Sequence, residues 1–182
     1  MRAPRRSIPL PEIHDRHVSE ARQAWGRLQT DDVTRPALAP TAVVTYRSRK
    51  GRVFELRAAV DPATRAEELR DLGSRLGASA VRVLALTWIA ESWMVLDDGS
   101  GRAPTEREAS ARSEVLVVAT LSPNGRSLVD ALAITRTPGG EGRLADSSPR
   151  GVGVPVVVGA FYEGYRSSSR GRSSTGGRGG VP

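Results

Sequence analysis

Cysteine is absent from the 182 residues, which excludes both a disulfide framework and thiolate chemistry and leaves the redox compartment unassigned. Lysine is nearly absent as well: Lys50 stands alone against 26 arginines. Long apolar runs are missing too. The most apolar stretch, Ser79 to Asp98, is interrupted by Arg82 and Glu91, so only Val83 to Ala90 is free of charge, far short of the roughly 20 residues of a membrane span. Met1 to Arg6 is basic, but Pro4, Pro9 and Pro11 leave no apolar segment behind it, so a cytoplasmic protein without a signal peptide is expected. No GxSxG, Walker loop or HExxH is present, and no GxGxxG lies between a strand and a helix.

The net charge of +7 points to nucleic acid until it is located. Arg2, Arg5 and Arg6 carry three of the charges and Arg166, Arg170, Arg172 and Arg178 the other four, with no acid in either end. The body from Ser7 to Glu163 therefore sums to zero.

What the chain does contain is patterned. Val81, Val83, Thr87, Trp88, Ile89, Trp93 and Val95 mark the central apolar run as a long strand covered on both faces, with a bend or bulge inside it. Leu10 to Leu28 predicts an amphipathic helix with Leu10, Ile13, His17, Ala21, Ala24 and Leu28 on one stripe. A second helix starts at Asp61-Pro62, buries Leu69, Leu72 and Leu76, and stops at Gly77. Two hairpins are expected: Thr41 to Arg47 with Val53 to Val60, and Glu114 to Leu121 with Arg126 to Arg136, the latter turning at Asn124-Gly125. Pro155 to Tyr162 reads as a last strand. The expected fold is α+β: a mainly antiparallel sheet of five to six strands, two helices packed on one face of it, and a disordered Gly/Ser/Arg-rich C-terminal tail. The domain plan is a flexible basic segment over 1–9, a single domain over 10–164 and a tail over 165–182.

Glu91 is the most conspicuous candidate for chemistry, because a carboxylate among Trp88, Ile89, Trp93 and Met94 costs several kcal/mol to bury unpaired. It reads as a general base or metal ligand, or else as a residue where the strand exposes one edge, or as the partner of an arginine such as Arg82 or Arg136. Asp130 shares strand parity with Leu128, Leu132 and Ile134 and is expected to face the core; with Glu91 it forms the candidate catalytic pair. His14 and His17, three apart on a helix, fit a shared metal less well than two surface or core-edge histidines. No metal or cofactor is therefore assigned.

AESWMV, followed by GRAPTEREASARSEVLVV, resembles an uncharacterised bacterial and phage-associated family in which an E-A-W-like strand motif precedes an R-P-S-E-like loop and an R-x-E-V strand start. The matching positions are Glu91, Trp93, Arg102, Pro104, Thr105, Glu106, Arg112, Glu114 and Val115, with Ser92 in place of Ala and an added Ala103. The resemblance covers Ala90 to about Ile134 and implies a fold but no activity. It directs attention to Arg102, Glu106, Arg112 and Glu114 as binding residues that pair across a hairpin.

Three functions compete. The first is a non-enzymatic binding or accessory domain that meets a protein partner through the polar loops Asp97 to Ser113 and Thr137 to Gly153. The second is a metal-dependent hydrolase built on Glu91 and Asp130. The third is weak, sequence-blind nucleic-acid binding through Arg166, Arg170, Arg172 and Arg178, where aromatic partners are confined to Tyr162 and Tyr165.

Overall fold

The computed structural model describes residues 8–28, 38–47, 51–58, 60–79, 81–95, 112–139, 141–145, 150–151 and 156–175. Its elements are α1 (Leu10–Leu28), β1 (Thr41–Tyr46), β2 (Gly51–Glu55), α2 (Pro62–Ala78), β3 (Val83–Val95), β4 (Arg112–Leu121), β5 (Ser127–Arg136), β6 (Gly142–Leu144), β7 (Arg150–Gly151) and α3 (Val156–Thr175). The strands form one antiparallel sheet in the order β2-β1-β3-β4-β5-β6, with β7 also pairing on β5. The fold is α+β.

The β-branched and aromatic run is the strand β3 at the centre of the sheet, paired with β1 on one side and β4 on the other. Thr45 faces Ala85 but Tyr46 faces Val83, so Leu84 is an extra residue and supplies the bulge a strand of this length needs. β4 turns into β5 at Asn124-Gly125, where Gly125 has φ 85°, a left-handed conformation that glycine adopts without a Cβ clash. α2 begins as its sequence indicates: the Asp61 carboxylate accepts from the backbone N–H groups of Ala63 and Thr64, and Pro62 occupies the first turn.

Side-chain alternation divides the interior in two. Ala42, Val44 and Leu86 face Leu69, Leu72 and Leu76 of α2 with Val158, Phe161 and Tyr162 of α3. Val43, Ile89, Leu116, Val118, Leu132 and Ile134 face Ala21 and Trp25 of α1. Helices thus cover both faces of the sheet, rather than one as expected.

The stretch read as a last strand over Pro155 to Tyr162 is helical from Val156. Val158, Phe161 and Tyr162, all buried, and the half-buried Tyr165 are spaced i, i+3, i+4, i+7, and that stripe outweighs the local preference of three consecutive valines for a strand. The helix continues to Thr175, into the stretch expected to be unstructured; residues 176–182 lie outside the described residues. The connection read as Thr137 to Gly153 contains the short strands β6 and β7.

α2 and α3 run in the same direction and touch backbone to backbone. A Cβ on Gly73 would stand 2.0 Å from the Phe161 carbonyl oxygen, and one on Gly164 2.1 Å from that of Arg70. Their approach is therefore set by the lack of side chains at these positions. Tyr162 and Tyr165 tie α3 to the sheet, their hydroxyls donating to the carbonyl oxygens of Leu121 (2.9 Å) and Val81 (2.6 Å). Among the described residues no helix is long and apolar enough to cross a membrane.

Candidate functional site

Glu91, Glu114 and Arg136, and His14, His17 and Asp130, collect on the α1 face of the sheet in two separate networks. The first is centred on Glu91. Its Oε1 accepts from the indole N–H of Trp25 (2.9 Å) and the backbone N–H of Leu38 (2.8 Å), and its Oε2 accepts from Nη2 of Arg136 (3.4 Å). Arg136 also donates from Nε and Nη2 to the two oxygens of Glu114, both at 2.7 Å. The three side chains are only 12 to 15% exposed. The fork of two parallel bonds to Glu114, helped by the charges of Glu114 and Glu91, outweighs burial and raises the guanidinium above its ordinary value.

The second network lies beneath the first two turns of α1. His14, His17, Thr87 and Thr120 are at most 1% exposed and Asp130 is 8% exposed. Nδ1 of His17 meets Thr87 Oγ1 at 2.6 Å, Thr87 Oγ1 meets Thr120 Oγ1 at 2.9 Å, and Thr120 Oγ1 meets Nδ1 of His14 at 2.9 Å. Nε2 of His14 faces Asp130 Oδ1 at 3.6 Å, an ion-pair rather than a hydrogen-bond distance. One proton order satisfies the row. With the Asp130 carboxylate at one end, His14 turns Nε2–H towards it and accepts at Nδ1 from Thr120, which accepts from Thr87, which accepts from Nδ1–H of His17. Nε2 of His17 is then left to accept from Nη2 of Arg16 at 3.5 Å.

Burial, with the charge of Arg16 and the proximity of His14 as lesser causes, lowers the His17 pKa to about 4. Because the unfolded imidazole keeps its ordinary value near 6.5, the unfolded chain takes up this proton first as pH falls. The His17 contribution to stability is thus intact above pH 6.5 and declines from there towards pH 4. The expected loss is about 2 kcal/mol by pH 5. Urea midpoints of wild type and His17→Asn between pH 7 and pH 5 should diverge accordingly. Parallel curves would mean that folded His17 takes up its proton as readily as the unfolded chain does.

The structure separates the proposed catalytic pair. Glu91 lies opposite Leu116, which lies opposite Leu132, whereas Asp130 lies opposite Val118, which lies opposite Ile89. At ordinary sheet spacings that puts their Cα atoms about 12 Å apart, and each carboxylate has its own neighbours. His14 and His17 are buried, not at the surface or the edge of the core, and their Nδ1 atoms meet different threonines. Among the described residues no group of three potential metal ligands occurs.

Of the loop residues, Glu114 is paired with Arg136, and the backbone of Arg112 pairs with Val95. Arg102 and Glu106 lie outside the described residues. Arg166 is exposed and donates from Nη2 to the Pro123 carbonyl oxygen (2.8 Å), with its guanidinium 5.9 Å from the centre of the Tyr162 ring. Arg170 and Arg172 are on α3, and Arg178 lies outside the described residues.

Sequence reasoning missed the burial of His14 and Trp25. The signal was a strict four-residue repeat, Ile13, His17, Ala21 and Trp25, all buried, which the expected stripe left for Ala24 and Leu28. The chain matches no family model, no curated protein and no solved structure.

Proposed function

We propose that this chain is a non-enzymatic binding domain whose conspicuous polar residues hold its layers together. The observation that carries this reading is the occupancy of the Glu91 carboxylate. Both oxygens accept hydrogen bonds from donors on three parts of the chain, leaving little lone-pair capacity for a metal ion or a substrate proton. The Asp130 carboxylate belongs to a different network, which disfavours a hydrolase built on the pair. In this reading the stretch that resembles the bacterial and phage-associated family works as a clamp: two of its positions, Glu91 and Glu114, hold one arginine between them.

The contact surface is the end of the sheet where β1 stops, β3 starts and β4 turns into β5. A cleft of about 520 Å³ opens there, lined in part by Ile13, Arg82, Leu84, Pro123, Arg126 and Tyr165, a size suited to ligands.

Metal titration tests the reading against the hydrolase alternative. Millimolar magnesium, manganese or zinc should leave the thermal midpoint of the purified protein unchanged, since a ligand bound only by the folded state would raise it. A stoichiometric divalent ion that is retained by wild type and lost in Glu91→Gln or Asp130→Asn would overturn the proposal.

A further inference from the structure

We infer that the cleft at this end of the sheet binds single-stranded nucleic acid, with phosphates on its arginines and an unstacked base against its apolar wall. The inference rests on the reading of the chain as a binding domain and names the partner.

Its first support is a local imbalance of charge. The body is neutral overall, and many of its arginines are matched: Arg16 with Glu20, Arg57 and Arg65 with Glu68, Arg70 with Glu163, and Arg136 with Glu91 and Glu114. Among the exposed arginines that are not ion-paired with any described residue, four are neighbours. Arg82 and Arg126 line the cleft. Arg47 donates its backbone N–H to the Arg82 carbonyl oxygen at 3.0 Å. Arg166 is fixed by its bond to Pro123, itself part of the cleft wall. Among the described residues no acidic side chain lines the cleft, and Glu12 in the first turn of α1 is not part of the wall. Arg170 and Arg172 follow Arg166 in the sequence of α3; the grouping of Arg47, Arg82, Arg126 and Arg166 around one cleft is what a polyanion matches.

The second support is the shape and chemistry between these charges. Ile13, Leu84, Pro123 and Tyr165 give the cleft an apolar wall, which a duplex, with its bases stacked inward, does not exploit. A single strand presents phosphates and splayed bases together. Arginine suits such a site because its planar fork binds phosphate oxygens and stacks on bases.

The test is fluorescence anisotropy with the full chain and a labelled 20-nucleotide oligodeoxythymidine, competed by the matching duplex, heparin, inorganic polyphosphate and polyglutamate. Four neutralised phosphates predict that affinity falls about 50-fold between 50 and 200 mM salt. Arg82→Glu and Arg126→Glu should each weaken binding at least tenfold, with thermal midpoints like wild type. Arg143→Glu, the same charge change on the exposed face of β6, should leave binding unchanged apart from a small general charge effect. Equal loss in all three variants, or no binding of the oligonucleotide, would overturn the inference. Polyphosphate, heparin, duplex or polyglutamate competing as well as the single strand would overturn the assignment of partner while leaving a binding domain. A catalytic metal found by the titration above would instead remove the reading beneath it.

Discussion

Arg136→Met is expected to destabilise the protein by about 3 to 5 kcal/mol, the range for removing one partner of a buried charge network. The substitution keeps much of the aliphatic stem but leaves Glu91 and Glu114 facing each other, 13 and 12% exposed, with no positive charge between them. Glu91 keeps Trp25 and Leu38 as donors, whereas Glu114 loses both bonds of its fork. Adding Glu114→Gln to Arg136→Met should recover part of the loss, because it removes one of the two carboxylates that share the arginine. Urea unfolding of the single and double variants gives the coupling directly. A single-variant loss below about 1 kcal/mol, as for an exposed pair, would show that water reaches the trio.

Gly73→Val should be comparably severe, by contact rather than charge. The first atom of the new side chain falls 2.0 Å from the Phe161 carbonyl oxygen, a backbone atom that no rotamer change can move. The helices must separate, opening gaps beside Leu69, Leu72, Phe161 and Tyr162, so the expected cost is about 3 kcal/mol or more. Gly159→Ala is the matched control in α3: nothing lies within 4 Å of its added Cβ, and relief of backbone entropy should stabilise the fold by about 0.5 to 1 kcal/mol. Thermal or urea midpoints for both variants check the contrast. A tolerated Gly73→Val would mean that the two helices pack less closely than described.

These positions also mark how far the sequence could be read. Local chemistry identified α1 to the residue, the Asp61-Pro62 start of α2, the β4–β5 hairpin with its Asn124-Gly125 turn, and the inward orientation of Asp130. Each is determined by residues a few positions apart. The partners of Glu91 are Trp25, Leu38 and Arg136, and only sheet register and the placement of α1 bring them together. Arg136 appeared among the candidates for charge reasons, but Trp25 and Leu38 had no local signature. Likewise, Thr87 and Thr120 are neutral to any periodicity test until β3 and β4 are aligned. The misreading of α3 had a different cause: three adjacent valines drew the assignment to a strand, although the apolar spacing from Val158 to Tyr165 already followed a helix.

The joining of α2 and α3 also dictates an order of assembly. α2 is synthesised early, and the helix that covers its leucines is separated from it by the whole of β3 through β7. A growing chain can pair β1 with β2, β3 with β4 and β4 with β5 through short or neighbouring connections, and can lay α1 on the opposite face, while Leu69, Leu72 and Leu76 still lack Phe161 and Tyr162. Closure of that layer is a long-range event, which raises contact order and slows folding. Until it occurs, the nascent protein presents a leucine-lined helix and one uncovered sheet face to its surroundings, the kind of surface through which incomplete chains aggregate or engage chaperones.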